Sequence, residues 1–340
     1  MAATSRLRHV GCFARGQIEN RTFIQNLRVT LLAAIRRIIE RTWLAAFVIL
    51  ALVFLFLYFK DNKDAVVGLL QADVGLLLAA AVAQVLYFFT TVVTWQKALL
   101  YSTDRGVGFW EGLSQILLVN FGKYIPGKIW GLAARGARLK ELGYALDEIG
   151  SVSYLEQFLL ILTGFWLAFL AAVFAFQEPL YLLPCLLVTI VIVLFKHGSN
   201  LAKKLVRVIP KVGWLERLVE IRISTGEVIG LAAGYAVVWI FLTLTFVLVC
   251  NSLLSIELTT VNLATFLLSL TAGFLAGFVA LFAPGGVGVR EGVGAVFLSS
   301  MMTLEEALLL MLLFRVWVVL AELAAGSTLL ARRFRSGRVE

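Results

Sequence analysis

Charge is scarce in this chain: 15% of its 340 residues are Asp, Glu, Lys or Arg, against 61% that are apolar. Together with a mean hydropathy of +0.93, that balance excludes a soluble globular protein. Cysteine and histidine are scarcer still. Cys12, Cys185 and Cys250 form no CxxC pair and His9 and His197 lie far apart, so neither a zinc site nor a disulfide framework is expected. The glycine-rich stretch Pro284 to Gly292 is followed by no GKS or GKT and does not match GxGxxG, which removes the nucleotide-binding loops. No Ser-His-Asp set or paired-carboxylate site is recognisable. We therefore expect no metal, no cofactor and no enzymatic activity.

What the chain does have is long apolar runs, at about 43 to 59, 74 to 95, 112 to 134, 152 to 176, 180 to 195, 228 to 250, 262 to 282 and 304 to 331. Runs of about 20 residues are what a helix rising about 1.5 Å per residue needs to cross roughly 30 Å of hydrocarbon. The fold class is thus an all-α polytopic integral membrane protein. The formal charge of +9 does not point to nucleic acid, because the cations gather in a few places beside the apolar runs. One is a basic arm over residues 1–42, with Arg6, Arg8, Arg15, Arg21, Arg28, Arg36, Arg37 and Arg41 opposed only by Glu19 and Glu40. The others are the stretch from Lys196 to Arg222 and the tail over 332–340, with Arg332, Arg333, Arg335 and Arg338. By the positive-inside rule these regions are cytoplasmic, both termini included, in a multi-pass protein of the cell membrane. The arm has no short apolar core with a small-residue cleavage site, so the run from Trp43 reads as an uncleaved anchor. Ile24 to Ile39 reads either as a basic amphipathic helix on an anionic leaflet or as a solvated tail.

Counting crossings singles out two segments. If the run 74 to 95 returns the chain to the cytoplasm, Lys97 and Arg105 are inside, and Arg135, Arg138 and Lys140 beyond the next run also carry the cytoplasmic signature. That run is interrupted by Gly122, Pro126, Gly127 and Gly131, and reads as a re-entrant hairpin. The segment Leu270 to Ser300 repeats the design, with a break at Pro284, Gly285, Gly286 and Gly288; a shift of 158 residues lays Pro126-Gly127 on Pro284-Gly285. Three spans lie between the hairpins, so the second enters from the opposite face, the signature of inverted-topology repeats. The repeats cover about 43–176 and 180–331 of one transmembrane domain, 43–331, with six spans and two hairpins. Eight ordinary spans are the alternative, which places Arg135 to Lys140 outside.

Broken backbone at membrane depth needs protein or a polar cavity around it, so two breaks imply a cavity. The helices that begin after the breaks aim their N-termini inward, which favours an anion. Charged side chains cluster nearby: Lys123, Lys128 and Arg135 at the first break, Arg290 and Glu291 at the second, Arg315 and Glu322 in the last span, and Glu156 in an earlier one. The basic surplus suits a phosphate or carboxylate headgroup held by Lys128, Arg135, Arg290 and Arg315, with Asn120 nearby and Glu156, Glu291 and Glu322 balancing charge or coupling. Each has a structural alternative. Arg290 and Glu291 can close a local turn, Lys123 can snorkel to the interface, and Arg315 can bridge to Glu156 or Glu322 merely to lock the bundle. Gly226, Gly230 and Gly234, and Gly273 with Gly277, read as helix-packing ridges, and Gln84, Gln115 and Asn120 as interhelical hydrogen-bonders.

The stretch Asn120-Phe-Gly-Lys-Tyr-Ile-Pro-Gly-Lys-Ile-Trp-Gly131 followed by Arg135, and Ala283-Pro-Gly-Gly-Val-Gly-Val-Arg-Glu-Gly292 followed by Arg315, resemble the lysylphosphatidylglycerol synthase transmembrane (flippase-like) family. The resemblance runs from about Trp43 to Ala331. It implies a protein that moves an anionic phospholipid, glycolipid or polyprenyl-phosphate-linked substrate across the membrane. It is carried on Asn120, Gly122, Pro126, Gly127, Gly131, Arg135, Pro284, Gly285, Gly286, Gly288, Arg290, Glu291 and Arg315, with Lys128 a weaker match. The chain reads as a stand-alone member without the aminoacyl-transfer domain, so synthase activity is not carried over. The competing expectations are a non-transporting accessory or scaffold protein that binds a lipid-linked intermediate for a membrane glycosyltransferase partner and, third, a membrane-embedded lipid-modifying enzyme, to which no residue pattern points.

Overall fold

A computed structural model describes residues 72–125, 129–195, 223–280 and 283–336. The basic arm, the first apolar run, Lys196 to Arg222, the tail beyond Ser336, and the expected break and binding residues Pro126, Gly127 and Lys128 lie outside the described residues. The described chain is helical. In order it forms α1 (Val74–Thr103), α2 (Phe109–Gly122), α3 (Trp130–Glu141), α4 (Leu146–Phe176), a single 3-10 turn leading into α5 (Leu182–Val193), α6 (Thr225–Leu253), α7 (Thr260–Val279), a second 3-10 turn at Pro284–Gly286, α8 (Val289–Leu298) and α9 (Leu304–Ser336).

Local chemistry sets the ends. The Asp73 carboxylate accepts the N–H groups of Gly75 and Leu76 to start α1, and Ser224 with Glu227 and Thr303 with Glu306 form reciprocal caps on α6 and α9. Asp104 and Gln177 stop α1 and α4 in the left-handed conformation. Five helices, α1, α4, α6, α7 and α9, are long and apolar enough to cross a membrane. At 12 residues, α5 is shorter than the span expected over 180 to 195.

The run 112 to 134, taken by the eight-span alternative as one crossing, is two helices folded back on each other. Arg138 near the end of α3 donates to Glu111 in the first turn of α2 at 2.9 Å through both Nε and Nη2. At the opposite end Gly122 and Gly131 meet so closely that a Cβ on Gly122 would stand 2.1 Å from the Gly131 Cα. The pair α7 and α8 folds back in the same way: Gly277 lies against Gly286 near the turn, and Ser269 donates to the Gly294 carbonyl further along. The first arm of this second hairpin is longer than expected, starting at Thr260. A long helix, a folded-back pair and a long helix therefore occur twice, as α1 to α4 and as α6 to α9.

The two lead helices, α1 and α6, pack antiparallel. The Asp73 N–H at the start of α1 donates to the Ser252 carbonyl at the end of α6 at 2.9 Å, and Gly234 of the predicted ridge lies directly against Thr94. A second seam, between α4 and α7, closes on small side chains: Ala168, Ala171 and Ala172 pack with Leu268, and Gly164 faces Leu275. Phe246, Phe266 and Phe314 tie α6, α7 and α9 together, with ring centroids 5.5 and 4.7 Å from Phe246. Outside this core large apolar side chains are bare, including Leu78, Val82 and Val85 on α1, Leu183, Leu186 and Leu187 on α5, and Leu320 and Leu323 on α9. Surfaces of that kind face lipid in a membrane protein.

Candidate anion site between the two backbone breaks

The second break is built from glycine because its backbone requires it: Gly285, Gly286 and Gly288 have φ of 59°, 71° and 78°. The Gly285 N–H reaches across to the other hairpin and donates to the Lys123 carbonyl, just past the end of α2, at 2.7 Å. The two breaks are thus joined by backbone.

Around that junction stand the charges. Lys123 pairs with Glu322, and Tyr124 donates its hydroxyl to the same carboxylate at 3.0 Å. Arg315 pairs with Glu291 and donates to the Gly285 carbonyl at 3.3 Å. Glu291 also accepts the Gly288 N–H at 2.7 Å, so the start of α8 is capped by its own carboxylate. Among the described residues Arg290 has no carboxylate partner; its guanidinium lies 4.7 Å from the centre of the Phe274 ring. Lys123, Tyr124, Gly285, Arg290, Glu291 and Arg315 line one chamber, closed down to about 10 Å³, room for a single water.

This arrangement removes three of the structural alternatives. Arg290 and Glu291 do not close a local turn together, since Glu291 goes to Arg315. Lys123 does not snorkel: the end of α2 is the tip of a hairpin, not the edge of a span, and the lysine meets a carboxylate instead. Arg315 bridges neither Glu156 nor Glu322.

Arg135, expected in the same site, is engaged elsewhere. It pairs with Glu156 and lies flat on Trp95, its guanidinium carbon 3.9 Å from the ring centre. Trp95 donates to Gln115 at 2.9 Å, and Gln115 to Glu111 at 3.3 Å. The Arg135 and Glu156 side chains are 0% and 7% exposed, whereas Arg315 and Glu291 at the chamber are 13% and 5% exposed. Nε and Nη1 of Arg135 and the Tyr235 hydroxyl find no hydrogen-bond partner among the described residues. Gln115 does bond between helices, as expected; Gln84 and the Asn120 Nδ2 are buried without a partner among the described residues.

Sequence reasoning missed Tyr124, Trp95 and Glu111. Tyr124 had a signal, since it adjoins Lys123 within the first glycine-broken stretch; Trp95 and Glu111 had none beyond sitting near apolar runs.

Long apolar helices, two folded-back pairs and charges gathered where their breaks meet define an all-α polytopic membrane protein with a polar centre. The model of the lysylphosphatidylglycerol synthase TM region matches residues 42–326, and the chain belongs to that family. A comparison with curated proteins found no match.

Proposed function

We propose that the protein is a lipid translocase of the cell membrane, one that carries an anionic headgroup through the chamber between the two hairpins. The family supports a role tied to membrane lipid. The observation that carries the finer reading is the charge of the chamber: Lys123 is matched by Glu322 and Arg315 by Glu291, while Arg290 has no carboxylate partner among the described residues and is the cation an anion would meet. A phosphate or carboxylate supplies it. The substrate is an anionic phospholipid, glycolipid or polyprenyl-phosphate-linked lipid, and no catalytic step is needed.

In this reading the two halves are inverted repeats and both termini are cytoplasmic. The antiparallel packing of α1 on α6 supports inversion, because these helices occupy equivalent places in the two halves. The hairpins, entering from opposite faces, meet at the Gly285 to Lys123 hydrogen bond, so a shift of one against the other opens the chamber to one leaflet or the other.

Reconstitution tests this. Vesicles holding the protein and a fluorescent phosphatidylglycerol should lose outer-leaflet asymmetry faster than protein-free vesicles, and Arg290→Ala should remove most of that gain. Wild-type vesicles no faster than protein-free ones would overturn the translocase reading.

A further inference from the structure

The two halves differ at one pair of equivalent seams. Between α4 and α7 the helices close on Gly164, Ala168, Ala171 and Ala172. The counterpart seam, between α9 and α2, carries Leu117, Leu118, Phe121, Leu323 and Leu330, and these leave an open apolar cleft of about 340 Å³. Gly326 forms part of its wall, close under the Phe121 ring. The bulky side chains of the cleft hold the helices apart, while Ser114, Gly326 and Ser327 between them leave room along the wall.

The cleft has two distinct ends. At one, Arg332 of α9 lies 4.5 Å from the centre of the Trp110 ring, in the first turn of α2. Tryptophan and arginine together mark the headgroup level of a bilayer. At the other end stand Lys123, Tyr124 and Glu322, members of the polar centre. From Glu322 to Arg332 the helix advances about 15 Å at ~1.5 Å per residue. That is about half of a ~30 Å hydrocarbon core, the depth of one leaflet's acyl chains.

We infer that this cleft is the loading site of the translocase: a single anionic phospholipid rests there with its phosphate at Arg332 and one acyl chain along α2 and α9, ending beside the chamber. The occupant follows from the match of length, the cation at the interfacial end and the apolar wall between. The inference rests on the translocase reading and adds where the substrate enters and from which side of the bundle. The sealed seam between α4 and α7 offers no equivalent berth.

Photocrosslinking decides it. Protein in phosphatidylcholine vesicles containing a phosphatidylglycerol analogue with a mid-chain diazirine is irradiated, and the adducts are mapped. Labelling of Leu118, Phe121, Leu323 and Leu330 should exceed that of Leu186 and Ile190, on the plainly lipid-facing α5, by several-fold. Ser327→Trp, which fills the cleft, should bring the cleft signal down to the α5 level, with elution volume and helicity unchanged; Ala79→Leu on the outer face of α1 should not alter it. A phosphatidylcholine analogue should label the cleft less than the anionic one. Equal labelling of the cleft and α5 in the wild type would overturn the inference. Arg290→Ala separates the two readings: if it stops translocation while labelling is uniform, the headgroup chamber stands and the cleft falls. If the cleft is labelled and Arg290→Ala translocates normally, the cleft stands and the chamber falls.

Discussion

The backbone N–H of Gly285 donates to the carbonyl of Lys123 at 2.7 Å, and this one bond ties the broken tip of the second hairpin to that of the first. Gly285 itself sits at φ 59°, in the left-handed region that favours glycine. A Cβ there would also stand 2.8 Å from Nη2 of Arg315. Gly285→Ala should therefore lower stability by about 1–2 kcal/mol through the left-handed backbone alone. It should also displace Arg315 from the chamber. Thermal unfolding in detergent measures the first effect and retention of anionic lipid in native mass spectrometry the second. An alanine variant that unfolds and retains lipid like the wild type would show that the junction is incidental.

Arg135 with Glu156 and Glu291 with Arg315 occupy the same places in their halves, second hairpin arm to following long helix, 21 and 24 residues apart, with the charges exchanged. Removing one member of either pair strands a buried charge, so Glu156→Gln and Glu291→Gln should each destabilise by about 3–5 kcal/mol. The double replacements should part company. Arg135→Met with Glu156→Leu should recover most of the stability and keep translocation, because that pair is sealed. Arg315→Met with Glu291→Leu should recover less, because it also leaves the Gly288 N–H uncapped, and should not restore translocation, because that pair lines the chamber. Equal translocation by the two doubles would remove the distinction between a structural pair and a substrate-facing one.

The positions of the breaks were readable from the sequence, because glycine and proline interrupt apolar runs at Gly122 to Gly131 and at Pro284 to Gly288. So was the need of Arg315 and Glu322 for partners, since a charge flanked by Leu313, Phe314 and Val316 requires one, and both are ion-paired. Which partner was not readable. Periodicity places Arg315 on a face of α9, but the side chains across from that face come from α8 and from the tip of the first hairpin, whose approach is set by tertiary packing. Lys123 was misjudged for the same reason: nearness to a helix end suggests the interface only when the helix ends there, and α2 ends inside the bundle.

The glycines separate into contact and non-contact positions. Gly122 and Gly131 touch backbone to backbone, whereas Gly226 and Gly230 on α6 have open space where a Cβ would go. Gly122→Ala should force the arms α2 and α3 apart and abolish recovery of folded protein. Gly230→Ala should be tolerated and stabilise by about 0.5–1 kcal/mol, the usual gain of alanine over glycine within a helix. Expression level and melting temperature of the two variants provide the comparison. A folded, unperturbed Gly122→Ala would contradict the closeness of the hairpin arms.

The side from which each hairpin enters is best read at its base, because the tips share one chamber and a reagent reaching it from either face would reach both. Lys140 at the end of α3 and Ser300 just after α8 are exposed and lie at the two bases. With six spans and two opposed hairpins, Lys140 is cytoplasmic and Ser300 is outside. With eight ordinary spans both positions are outside, since the run 112 to 134 then delivers Lys140 across the membrane. In a cysteine-free background, Lys140→Cys and Ser300→Cys should therefore react with a membrane-impermeant maleimide from opposite faces of oriented vesicles. Reaction of both from the same face would remove the inverted repeat, since hairpins entering from opposite faces have their bases on opposite sides. It would also remove the means by which one hairpin shifting against the other exposes Arg290 to alternate leaflets.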